Sequence, residues 1–170
     1  KTSMTGAVMQ MVSHGLMTAL FFAVIGMIYE RTHTRQVNEM GGLLKRMPFI
    51  ITVLFIVGLC SLGLPGLSGF VAEMTVFMGS WQHPDTFRRV ATILACLSIV
   101  VTAVYILRAV TKTAMGPLTA GFEELKDAAW NEKLAALILI AGIIAIGVAP
   151  FWLNDLISPG AEVIMQKLSR

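Results

Sequence analysis

The sequence predicts an all-α fold, a polytopic transmembrane helix bundle of four spans whose second span is a discontinuous helix. Three observations lead there. Hydrophobic residues make up 56% of the 170 and charged residues only 14%, where a soluble domain carries about 25% charged residues. Four runs lack Asp, Glu, Lys and Arg entirely: Thr2 to Tyr29, Met47 to Ala72, Val90 to Leu107 and Leu134 to Asn154. Each reaches the roughly 18 residues that mark a crossing helix. Finally, the stretch GLPGLSGFVAEM interrupts the second run with helix breakers and then a carboxylate. The whole chain, 1–170, reads as one membrane domain with spans at 2–29, 47–81, 88–112 and 133–151 and a tail at 152–170.

The first span opens directly after Lys1, with no charged region ahead of a cleavage site. It is too long for a signal peptide, and a chain opening this way is expected to be a piece of a larger protein. Gln10, His14 and Thr18 fall at i, i+4 and i+8, one polar stripe on an apolar helix. Imidazole takes up and releases protons near neutral pH, which suits a relay. The same stripe also fits a hydrogen-bonded interior histidine.

The second span, Met47 to Trp81, would measure about 52 Å as one straight helix, against a hydrocarbon core of about 30 Å. Pro65 removes a backbone donor, and Gly63, Gly66 and Gly69 tolerate non-helical angles. A hairpin would give two halves too short to cross, so a single discontinuous crossing with an overhanging end is expected. Such a break is tolerated at membrane depth only where protein or trapped water satisfies the freed backbone groups. Glu73 lies four residues beyond Gly69 and seven beyond Gly66, on one helical face with them. Intramembrane carboxylates usually face the bundle interior and mark ion or proton pathways. Burial and neighbouring charges both alter how tightly such a group holds its proton. The plainer reading is a structural carboxylate paired with a lysine of another helix.

In the third span Ser98, Thr102 and Tyr105 make a further stripe, with Arg108 one turn beyond. It lines a polar path or serves inter-helix hydrogen bonding. The connection 108–133 contains turn residues and Thr119 positioned like an N-cap before Glu123 and Glu124; its simplest reading is a solvated loop. The fourth span is packing. The tail after Pro150 alternates apolar and polar residues as a surface-lying amphipathic segment that Ser158, Pro159 and Gly160 break in two. Cys60 and Cys96 read as small buried hydrophobes, and His33 as solvated.

Loops 30–46 and 108–133 together hold eight Lys or Arg, and the opposite side, counting Lys1, holds five. That bias places both loops in the cytoplasm and the C-terminus across the membrane. No basic stripe interleaved with aromatics argues for nucleic acid, and no Cys/His metal cluster, Walker loop or dinucleotide fingerprint appears. Catalytic and metal-binding residues are therefore expected to be none.

Taken in order, QMVSHGLMTALFF, YERTHTR, MGGL and SLGLPGLSGFVAEM resemble the C-terminal third of the subunit 4 family of proton-pumping NADH:quinone oxidoreductase, respiratory complex I. The likeness covers at least residues 8–80. It implies an antiporter-like protein of 14 helices in two inverted repeats, of which these spans would be helices 11 to 14, in the bacterial inner membrane. The twelfth helix of the family is discontinuous and carries an ionisable residue of the proton path. That residue is Glu in subunit 4, and Glu73 matches it; in related subunits 2 and 5 it is usually Lys. His14 falls at the polar-axis histidine of helix 11. The remaining relay residues of the family lie on upstream helices, so the piece alone is expected to fold poorly. NADH, FMN, Fe–S clusters and quinone would belong to other subunits. The partners implied are other membrane subunits of the complex, including homologous antiporter-like ones, and the lipid bilayer. The alternatives are a subunit of a multisubunit Na⁺/H⁺ antiporter or membrane-bound hydrogenase, and a structural membrane subunit without a relay role. Glu at position 73 and YERTHTR favour the first reading.

Overall fold

The computed structural model describes residues 2–168; Lys1 and Arg170, both counted in the charge bias, lie outside them. Among the described residues the secondary structure is entirely helical: α1 (Thr2–Thr32), α2 (Pro48–Ser61), α3 (Ser68–Trp81), α4 (Thr86–Ala114), α5 (Trp130–Val148) and α6 (Phe151–Leu168). Two 3₁₀ turns, Val37–Glu39 and Leu43–Lys45, lie between α1 and α2. By length and composition α1, α4 and α5 are the helices able to cross a membrane. The 14-residue α2 and α3 are each about 21 Å long, short of the roughly 30 Å core.

The helix ends follow from their residues. Pro48 opens α2, where its missing N–H costs nothing. The next two amides donate to the Asp127 carboxylate, Phe49 N to Oδ2 at 2.8 Å and Ile50 N to Oδ1 at 3.2 Å. At the other end Gly63 N donates to Cys60 O at 3.1 Å and Leu64 N to Leu59 O at 3.2 Å. With Gly63 at φ +65°, this is the paired closure that glycine allows just past a helix C-terminus. Asp85 caps α4 by accepting from Phe87 N at 3.1 Å. Pro150 disfavours helical geometry at Ala149, so α5 stops at Val148.

The main core joins Leu20, Val24 and Ile28 of α1 to Ile50, Val53 and Val57 of α2, with Val110 of α4 and Ile143 of α5. A smaller cluster of Met9, Ala72, Ile146 and Leu153 ties α1, α3, α5 and α6 together. Near the ends of α1 and α5 an ion pair locks the loop before α5 in place. Arg31 Nη2 lies 2.7 Å from Glu132 Oε2, with the two side chains 15% and 19% exposed. Nη1 also donates to Glu132 Oε1 at 3.2 Å and Met27 O at 2.9 Å, Nε to Lys126 O at 2.8 Å, and Nη2 to Asp127 O at 3.3 Å.

Four expectations need correction. The segment after Pro150 is not broken at Ser158, Pro159 and Gly160: α6 runs through Pro159. A proline removes one donor, and here its ring is exposed while Leu153 and Ala161 are buried on either side of it, so packing carries the helix across. The 116–129 connection contains no helix. Thr119 N donates to Gly41 O at 3.3 Å instead of opening one, and Leu118, Phe122 and Leu125 pack onto the core, so the loop is less solvated than its composition suggests. Cys96 is exposed, unlike buried Cys60, because hardly any of α4 faces the bundle. Gly66 precedes α3, so it shares no helical face with Glu73.

Candidate functional site

The candidate site is built around the non-helical stretch 62–67 and the carboxylate of Glu73. Gly63 has two tasks there. Its left-handed φ closes α2, and its missing side chain makes room for Glu73: a Cβ at Gly63 would sit 2.5 Å from Glu73 Oε2. The carboxylate thus folds back over the break from the second turn of α3.

Protein covers part of the break, while Leu64, Pro65 and Gly66 are exposed. Ser13 Oγ of α1 donates to Ser68 Oγ at 2.7 Å, and both hydroxyls are fully buried. Cys60 Sγ lies 3.8 Å from the same Ser68 oxygen. From α5, Gly147 meets the backbone of Gly66 and Leu67 so closely that a Cβ there would lie 2.6 Å from Leu67 C. Pro65 is exposed in the loop, and Gly69 approaches Cys60 O, 2.6 Å from where a Cβ would stand.

On the α4 side a cavity of about 210 Å³ opens, lined by Ser61, Glu73, Ser98 and Thr102 among apolar neighbours. That is room for several water molecules, and the lining supplies the polar partners they need. The hydroxyls already donate to their own helices, Ser61 to Gly58 O and Ser98 to Ala95 O at 2.7 Å, Thr102 to Ser98 O at 3.1 Å. Their oxygens are left as acceptors facing the cavity. Among the described residues no cation pairs with the Glu73 carboxylate.

Of the sequence-derived residues, Glu73, Ser98 and Thr102 therefore meet. Tyr105 and Arg108 continue along α4 and do not line the cavity; they are exposed, as is Ser98, on whose side the cavity is open. The α1 stripe stands apart from it. His14 is exposed, and Thr18 Oγ1 donates to His14 O at 2.7 Å in its own helix. Gln10 Oε1 is buried without a hydrogen-bond partner among the described residues. Sequence reasoning missed Ser13, Ser61, Ser68 and Gly147. The available signal for Ser13 was its place one heptad beyond Gly6, on the side of α1 that meets α3.

The family profile described as NADH:quinone oxidoreductase/Mrp antiporter, TM matches residues 1–98, more than half of the chain. The chain is 37% identical, over 97% of its length, to NAD(P)H-quinone oxidoreductase chain 4 2 of Synechococcus sp. (strain JA-3-3Ab), of which it covers 32%. It therefore spans about a third of the length of that relative. Among solved structures it resembles a chain of respiratory complex I from Thermus thermophilus with bound NADH, at TM-score 0.81 and 29% identity, over 95% of this chain and 34% of that one. A chain of the Mrp complex from Dietzia sp. DQ12-45-1b has TM-score 0.81 at 19% identity, covering 93% of this chain and 37% of that one, a likeness of fold alone.

Proposed function

The chain belongs to the NADH:quinone oxidoreductase/Mrp antiporter transmembrane family, and on that footing we propose that it is the C-terminal part of a proton-translocating subunit of NADH:quinone oxidoreductase. It is an integral membrane domain. In this reading α2 and α3 together make one discontinuous crossing, the second of four, and residues 1–170 form one unit of an antiporter-like domain. The loops 30–46 and 108–133 face the cytoplasm of a bacterial inner membrane, with the C-terminus opposite. NADH, FMN, Fe–S clusters and quinone are handled by other subunits, and homologous antiporter-like subunits are among the partners.

The single observation that carries the proposal is the shared cavity of Glu73, Ser98 and Thr102 beside the break. A protonated Glu73 donates to water or to a hydroxyl oxygen in that cavity, and an ionised one accepts from water there. At the break α1 packs against Ser68 and α5 against the Gly66 and Leu67 backbone. The exposed Leu64 and Pro65 would be covered by a further element of the full protein, as non-helical backbone at membrane depth requires. The proton path then follows α4 toward Tyr105 and Arg108. His14 presents an outward face of α1, which suits a contact with a further element of the full protein better than a place in the Glu73 cavity; Gln10 and Thr18 are half-buried beside it.

The test is proton translocation per NADH oxidised in vesicles holding the intact complex, with Glu73→Gln against wild type. Reduced pumping in an assembled complex is the expected result. An unchanged ratio, with or without an assembly defect, assigns Glu73 to structure. Sodium-dependent transport in place of proton pumping would favour the antiporter reading.

A further inference from the structure

A second cavity lies away from Glu73, where α1, α2 and α4 meet the connection after α1, and shares no lining residue with the first. It measures about 150 Å³. Its depth is apolar, formed by Phe21, Ile25, Ile28, Leu54, Ala109 and Val110, and Tyr29 and Arg35 stand in its lining at the loop end. The Arg35 guanidinium lies 4.6 Å over the Tyr29 ring and is exposed. Among the described residues no carboxylate pairs with it.

The charge at this end is unbalanced. The 30–46 segment carries Arg31, Arg35, Lys45 and Arg46 against Glu30 and Glu39. Arg31 is already neutralised by Glu132, and Glu39 accepts from the Thr34 hydroxyl at 2.5 Å. Lys112 of α4 reaches over the same junction to Asn38, next to the lining residue Val37.

We propose that this slot binds an anionic phospholipid, with one acyl chain lying along α1 from Tyr29 toward Phe21 and its phosphate on Arg35 with Lys112 nearby. From Tyr29 to Phe21 the helix rises about 12 Å, enough to seat a run of methylenes. An open apolar slot surrounded by lipid is filled by hydrocarbon, since water has no partners there. Tyr29 ends the uncharged run of α1, the depth at which amphipathic aromatics meet headgroups. The planar fork of Arg35 matches phosphate oxygens, and basic pockets between membrane helices favour anionic headgroups. The inference needs the membrane placement and not the proton reading.

The experiment uses the full-length protein in its assembled complex, reconstituted with phosphatidylglycerol bearing a photoactivatable group in one acyl chain, and in parallel with a matched phosphatidylcholine probe. Preferential labelling of the 21–29 and 109–113 peptides by the anionic probe is expected. Arg35→Gln should lower that labelling about 5-fold, the contribution of one basic residue beside an anionic headgroup. Ala109→Phe should block the slot while leaving Arg35 in place. Should Arg35→Gln fail to assemble, Lys112→Gln and Ala109→Phe decide the matter. Equal labelling by both probes overturns the proposal, as does labelling indifferent to all three substitutions. Capture of a protein segment by a photo-crosslinker at position 109 overturns it too, because the slot would then be a subunit contact.

Discussion

Replacing Arg31 by Met should release the loop before α5 while leaving the helices themselves in place. The guanidinium spends all its donor directions on one corner: two bonds to Glu132 and three to the carbonyls of Met27, Lys126 and Asp127. Removing one partner of a buried, hydrogen-bonded ion pair costs about 3–5 kcal/mol. Here both side chains keep some exposure, so water reaches the stranded Glu132, and a loss of about 2–3 kcal/mol is the better figure once exposed pairs are weighed in. That corresponds to a factor of about 30–150 in the local opening constant. Trypsin cleavage at Lys126, in the assembled complex in detergent, reads this directly. Where opening and closing are fast relative to cleavage, the rate follows the population of the open form. Arg31→Lys should restore only part of the protection, because an ammonium cannot reproduce the planar fork. Cleavage of the Arg31→Met protein within about threefold of wild type, on a scale where 1.4 kcal/mol is tenfold, would refute the reasoning.

The remaining predictions concern the break. Ser13→Ala leaves the buried Ser68 hydroxyl with only the weak Cys60 sulfur contact and should cost about 1–3 kcal/mol, whereas Ser13→Ala with Ser68→Ala should recover much of it; thermal midpoints of the full-length protein and its double-mutant cycle test this, and additive losses would count against the bond. Gly63→Ala puts a side chain on a left-handed backbone, at about 1–2 kcal/mol, and pushes on the Glu73 carboxylate. On the proposed proton-relay role of Glu73, fewer protons per NADH at normal assembly are expected, and an unaltered ratio would show that this contact is not needed. Gly147→Ala should lower the yield of assembled protein far more than Gly142→Ala: the first meets backbone at Gly66 and Leu67, the second only a flexible Leu16 methyl 3.4 Å away. Equal yields from the two would mean the break is not packed against α5.

Charge-free length made the long helices legible. The expected spans 2–29, 88–112 and 133–151 correspond to α1, α4 and α5, displaced by three residues or fewer at each end. The stop at Gly63 was legible too, because glycine followed two residues later by proline is a local signal that needs no tertiary partner. What sequence could not supply was pairing across distance. Arg31 and Glu132 stand 101 residues apart, each among other charges at the end of an apolar run, so both pass for solvated loop residues. Asp127 likewise sits in an acidic stretch, and only the fold reveals that it closes α2. Pro159 failed in the other direction: a strong local breaker was overridden by burial of its neighbours.

The meeting of Glu73 with Ser98 and Thr102 lies between these cases, since the sequence held enough to derive their depth but not their facing. Only Gln82 to Asp85 separate α3 from α4, and so short a connection makes antiparallel neighbours. Glu73 lies eight residues before Trp81, about 12 Å down α3, and Ser98 twelve residues after Thr86, about 18 Å along α4. The two therefore sit within about 6 Å of one another in depth along the hairpin, while which faces they present is set by the packing of α3 on α4. No such reckoning was available for His14. Fifteen residues of non-helical and 3₁₀ chain separate α1 from α2, long enough to erase any register between His14 and the break. Spacing within a helix showed which residues were polar together; the length of the connection decided which of those stripes could be matched to Glu73.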